Sequence, residues 1–222
     1  MIPLQDETRQ PLRVPIATIL IIALNCVVFA LELAGGDDFV TKWSVIPAEI
    51  TAGHHFVTVL TSMFMHASWS HIIGNMIFLW AFGPQIEDAM NPARYAAFYL
   101  AGGILAMSAQ IAADPTSTLP NLGASGAIAA VMGAFLVTYP RDKIRTLLII
   151  GWYVDIAFVP AALLIGLWFV AQLLNFGLVA DVQSGGVAYL AHIGGMIFGA
   201  VTARLFEDPR RIGGQRRAEY QP

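Results

Sequence analysis

The chain is poor in charge. Only 12% of its 222 residues are Asp, Glu, Lys or Arg, about half the share usual in a soluble domain, which is roughly 25%. With 57% hydrophobic residues and a mean hydropathy of +0.65, this shortage excludes an ordinary water-soluble globule. Cysteine is almost absent as well. The one thiol, Cys26, sits inside an apolar run, so an intramolecular disulfide and a cysteine metal site are both excluded. There is no HExxH zinc motif, and no pair of aspartates inside apolar segments, since Asp155 stands alone among them. Zinc and two-carboxylate proteolysis therefore lack their parts. No cofactor, metal or nucleic-acid partner is expected.

Long apolar runs are what the chain has. A membrane span needs about 20 mostly apolar residues, and six stretches are read as spans: 16–34, 71–86, 93–113, 122–138, 157–180 and 187–205. The expected fold is an all-α membrane protein, a six-transmembrane-helix bundle over 16–205. A cytoplasmic N-terminal segment (1–15) precedes it and a basic cytoplasmic C-terminal tail (206–222) follows. The first run lacks a small-residue cleavage pattern and is read as a retained helix. Residues 35–70 are long for a connection, and their second half, FVTVLTSMFMHASW, is too apolar for a solvated loop; residues 144–155 are apolar but too short to cross, and both are expected to lie in the membrane interface.

Basic residues orient the bundle, because short cytoplasmic loops retain Lys and Arg. With six spans, 11 of the 12 fall on the side of the termini, and only Lys42 falls opposite. The termini are therefore expected in the cytoplasm. Ser125 then lies about one turn below the outer face, together with His71 and Asn75 of SHIIGNM and His192 of AYLAHIGG. Polar side chains inside a membrane are costly and mark an internal partner or a function.

A lone serine in a Gly/Ala-rich helix is ordinarily a packing residue or bonds back to its own backbone. A lone histidine is often structural, and Asn75 by itself could join two helices. Together they suit nucleophilic catalysis, in which serine needs an imidazole to take its proton and donors to hold the oxyanion. Ser125 is the candidate nucleophile and His192 the candidate base. His71 and Asn75, at i and i+4 on one helix face, are candidate oxyanion donors beside the Ser125 N–H. No carboxylate is placed to orient His192, which favours a dyad over a triad. Small-residue rows at Gly195/Gly199, Gly126/Ala130 and Ala129/Gly133 would let the fourth and sixth helices approach closely.

Three motifs carry a resemblance to the rhomboid family of intramembrane serine proteases: Gly123-Ala124-Ser125-Gly126 (GxSG), Ala191-His192-Ile193-Gly194-Gly195 (AHxxG) and His71-Ile72-Ile73-Gly74-Asn75 (HxxxN). LTSMFMHASWSH (60–71) and ALNCVVF in the first run are also similar to rhomboid sequence. The resemblance implies a Ser–His dyad that cleaves peptide bonds in or next to transmembrane segments of membrane-protein substrates. In that reading Gly123 shapes the oxyanion loop and Glu87 braces the second helix. It also implies a multi-pass protein, and the small size suggests a bacterial plasma (inner) membrane. Two positions depart from the family: Val57-Thr58 replaces a Trp-Arg pair, and Ala129 stands where some members stack an aromatic on the histidine. Two other readings stay open. A non-catalytic rhomboid-like client binder would usually lack the serine or the histidine. A small transporter would show polar residues through the full depth of the bundle, whereas here Gln172 and Asn175 are the main exceptions to an outer cluster.

Overall fold

A computed structural model describes residues 1–179 and 188–219. After strand β1 (Ile2–Asp6) come helices α1 (Ile16–Trp43), α2 (Pro47–Thr51) and α3 (Thr58–Thr61), a 3-10 turn, then α4 (Trp69–Met90), α5 (Pro92–Ala113) and α6 (Ser125–Thr138). Strands β2 (Lys143–Ile150) and β3 (Tyr153–Pro160) follow, then α7 (Ala161–Val179), α8 (Tyr189–Phe206) and α9 (Pro209–Glu219). The expected ends at 180 and 187, and positions 220–222 of the tail, lie outside the described residues.

Each of the six apolar runs contains a helix, the fifth only from Ala161 because 157–160 belong to β3, but six membrane spans are not confirmed. Among the described residues, three helices are long and apolar enough to cross: α1, α5 and α8. The apolar parts of α6 and α7, Ser125–Thr138 and Ala161–Leu174, are shorter, and α4 carries Asn75, Gln85, Glu87 and Asp88.

The expectation of an all-α protein is corrected by an antiparallel sheet of order β1-β2-β3. Residues 144–155, expected in the interface, form most of a hairpin that turns back on itself. Ile150 pairs with Tyr153, leaving a two-residue turn that opens on Gly151 at φ 62°, as a II′ hairpin turn requires. The β-branched and aromatic residues on either side favour strand over helix.

Helix boundaries follow local chemistry. Ser68 caps α4 by accepting the His71 N–H at 3.2 Å. Between α4 and α5, Asn91 accepts the Arg94 N–H at 3.0 Å, and Pro92 takes the first position, where no N–H is needed. α1 is broken at Gly36 (φ 58°, ψ −150°).

α6 is the axis of the bundle, with every residue from Gly126 to Phe135 buried. Its contact with α8 is backbone on backbone. A Cβ at Gly195 would fall 2.1 Å from the Gly126 carbonyl oxygen, and one at Gly199 would fall 1.9 Å from that of Ala130. Only glycine permits this spacing, and it sets the distance between the helix ends that carry Ser125 and His192.

Polar contacts tie the opposite end together. Glu87, buried near the end of α4, accepts the N–H groups of Ala17 and Thr18 at 2.9 and 2.7 Å and the Thr18 hydroxyl at 2.8 Å, closing the start of α1. Asp88 accepts from the Leu12 N–H and from Gln215. Gln215 also accepts the Tyr139 hydroxyl, so the basic tail carries a docked helix, α9. At the foot of the sheet, Arg9 pairs with Asp142 at 2.9 Å and lies over the Tyr139 ring. Burial, and then the neighbouring Asp142, push the Asp6 carboxyl up to about 7.

Candidate active site

The segment before α6 is shaped by Gly123, whose φ of 137° is open to glycine and strained for other residues. Its N–H donates to the Ser62 carbonyl at 2.8 Å. Any Cβ there would meet the His71 ring at 3.0 Å and Ser125 Oγ at 3.6 Å. The missing side chain thus lets the His71 imidazole lie against the loop beside the serine. Ser125 is the first residue of α6, an end with no side-chain cap, so its first N–H groups keep their donor capacity.

His192 sits in the first turn of α8 and is 7% exposed. Its Nε2 is 2.7 Å from Ser125 Oγ and its Nδ1 is 2.8 Å from Gln172 Oε1 on α7. The two contacts set the tautomer. Gln172 Nε2 points to the Trp168 carbonyl at 3.4 Å, which turns Oε1, an acceptor only, toward the histidine. Nδ1 must therefore carry the proton and donate it, leaving Nε2 to accept from the serine hydroxyl. Trp168, one turn before Gln172, lies against the imidazole with ring centroids 5.5 Å apart and planes at 44°. An aromatic from α7 thus lies against the histidine, where α6 has only Ala129.

A cavity of about 540 Å³ joins these groups. Ser125, His192, His71, Asn75, Gln172 and Trp168 all line it. Asn75 is 8% exposed, and its buried amide nitrogen has no protein partner, so it is a donor free to serve a ligand oxygen. Among the described residues no group of three His, Cys, Asp or Glu could hold a metal ion.

Two features behind this cavity escape sequence reasoning. Glu32, buried in α1, accepts the His66 N–H at 2.8 Å. The His66 ring lies 5.1 Å from that of His71, edge to face. Burial, and then the charge that His71 would carry, hold the His66 imidazole down at about 4, so it is neutral at physiological pH. Gln172 had a visible signal as a polar residue deep in an apolar run, but its partner lies 20 positions away on another helix.

A family model described as Rhomboid domain matches residues 53–208. Among curated proteins, the chain is 28% identical over 201 residues to Rhomboid protease GluP of Bacillus subtilis (strain 168), covering 88% of this chain and 36% of that protein. It is 25% identical over 188 residues to Rhomboid protein 1, mitochondrial, of Saccharomyces cerevisiae (82% and 50%). It is 28% identical over 198 residues to RHOMBOID-like protein 12, mitochondrial, of Arabidopsis thaliana (82% and 55%). The chain thus spans between about a third and just over half the length of these relatives. They divide between a bacterium and mitochondria, so a bacterial plasma membrane is not supported.

Proposed function

The chain belongs to the rhomboid family, whose domain match covers more than half of it, and from that premise we propose that it is an intramembrane serine endopeptidase with a Ser125–His192 dyad. The observation that carries this reading is the chain of contacts Ser125 Oγ to His192 Nε2 (2.7 Å) and His192 Nδ1 to Gln172 Oε1 (2.8 Å). In that order the histidine accepts the hydroxyl proton with no prior change of tautomer.

In the proposed reaction Ser125 Oγ attacks the scissile carbonyl carbon while its proton passes to His192 Nε2. The oxyanion is held by the Ser125 N–H, His71 and the Asn75 amide, beside a loop kept open by Gly123. Preorganised donors of this kind are worth about 2.7–4 kcal/mol each in the transition state. The imidazolium then protonates the leaving amine as the C–N bond breaks. A water molecule, deprotonated by the same nitrogen, next hydrolyses the acyl ester and restores the serine. Gln172 is neutral, so it orients His192 and stabilises the imidazolium through a dipole only.

Family membership, together with a cavity that opens among α4, α6, α7 and α8, supports a membrane-spanning segment as the substrate. A helical segment must unwind locally to offer its carbonyl, and small or helix-breaking residues near the cut favour this. We further propose that the site faces the side opposite the basic residues, with both termini in the cytoplasm, since 11 of the 12 Lys and Arg lie toward the termini.

The test is cleavage of a single-span reporter in liposomes by the parent protein, Ser125→Ala and His192→Ala. Cutting near the outer end of the reporter by the parent alone supports the reading. Cutting that survives Ser125→Ala removes it.

A further inference from the structure

The β2–β3 hairpin plays no part in the chemistry above, and its surface is unusual for a sheet. Cross-strand register puts Ile144 opposite Val159 and Thr146 opposite Ala157 on one face, where Ile144 and Thr146 are fully buried. The other face pairs Arg145 with Phe158, Leu147 with Ile156 and Ile149 with Val154. A half-buried antiparallel sheet in water turns polar residues outward. Here Ile149, Val154, Ile156 and Phe158 are turned outward at 41–60% exposure, and Trp152 at the turn is 99% exposed.

The order of residues along the hairpin is also directional. Lys143 and Arg145 stand at its foot, Trp152 and Tyr153 at its tip. The foot is level with the helix ends, where Arg9 meets Asp142. Farther along the sheet, Pro3 and Leu4 of β1 border the same cavity as Ile19, Ile22 and Trp80, positions inside α1 and α4. β1 therefore packs the sheet against the flank of α1 and α4. β3 passes directly into α7, whose Leu163, Leu167, Val170 and Leu174 are also exposed, at 49–63%. Among the described strands β3 is an edge, and backbone groups without a partner cannot enter hydrocarbon.

We propose that this hairpin is a lipid-binding element. It is seated in the headgroup layer of the leaflet on the basic side, with Trp152 and the Ile149–Val154 face against the acyl boundary and Lys143 and Arg145 among the phosphates. Aromatic and basic residues favour these two depths. The contact also steadies α7, which carries Trp168 and Gln172 to His192. The proposal rests on the chain spanning a membrane and is independent of the proposed protease chemistry.

The test uses the full chain in liposomes of phosphatidylcholine and phosphatidylglycerol. In a Cys26→Ser background, Trp152→Cys and, separately, Ile149→Cys are labelled with an environment-sensitive fluorophore, with Thr116→Cys in an exposed loop as the aqueous reference. Both hairpin labels should show blue-shifted emission, lose it to spin-labelled lipid and resist iodide, while the label at 116 does the reverse. Iodide quenching equal to that at 116 would overturn the proposal by placing the hairpin in water. Protection from both quenchers would overturn it in favour of a protein partner or a second copy of the chain. The Trp152 side chain projects away from the fold, so its replacement leaves the sheet intact, and the label at 149 reads the same surface independently.

Discussion

Replacing Gln172 with methionine keeps most of the side-chain volume and removes the acceptor that faces His192 Nδ1 at 2.8 Å. The histidine is 7% exposed, so water does not readily take the place of the amide oxygen. Leaving a buried N–H without a partner costs about 1–3 kcal/mol. The ring can avoid that cost by moving its proton to Nε2, but that tautomer cannot accept from Ser125. Either way the loss falls on the reactive form. At 1.36 kcal/mol per tenfold, the expected fall in kcat is about 5- to 150-fold. The assay is turnover of a single-span reporter in liposomes, paired with the rate of fluorophosphonate labelling and with Tm in detergent. Gln172→Glu keeps an acceptor and should recover part of the labelling rate lost in Gln172→Met. Parent-level rates in Gln172→Met would refute the reasoning. So would a loss as complete as that of Ser125→Ala in protein whose Tm has not moved.

Three further outcomes follow from the packing and the buried acids. Gly199→Ala forces a methyl group against the Ala130 carbonyl, which would lie 1.9 Å away; overpacking of this kind costs about 1–3 kcal/mol, and both Tm and reporter cleavage should fall. Glu87→Gln cannot accept all three hydrogen bonds that close the start of α1, and bonds to charged groups are worth about 1.5–3 kcal/mol, so Tm should drop with the sheet intact. The Asp6 carboxyl, raised by burial and by Asp142 from 3.8 to about 7, binds its proton more tightly in the folded chain. Its contribution is complete below pH 3.8 and lost as pH rises through about 7, so docking of the N-terminal strand should weaken between about pH 4 and pH 7, and Asp6→Asn should flatten that dependence.

Much of this was legible because membrane helices announce themselves through composition. Ser125, His192, His71 and Asn75 stood out as polar positions near one end of three apolar runs, and Gly123 entered only through the family resemblance. The close approach of α6 and α8 could be read from Gly195 and Gly199. The hairpin was harder, since short apolar runs such as KIRTLLII fit either a helix or a strand by periodicity. The Gly151-Trp152 pair between two β-branched runs was the signal that could have found it. The supports of His192 and His71 were not legible. Gln172, Trp168, Glu32 and His66 meet them across helices, and a distance between helices leaves no periodic trace in the chain.

The central claim is that the hydrogen bond from Ser125 to His192 makes that serine a nucleophile. Mass spectrometry of the intact protein in liposomes after exposure to a fluorophosphonate tests it most directly. The parent should carry one adduct on Ser125, and His192→Ala, still folded, should carry none. Equal modification of Ser125 in both proteins, or none in the parent under conditions where a control serine hydrolase is labelled, would contradict it.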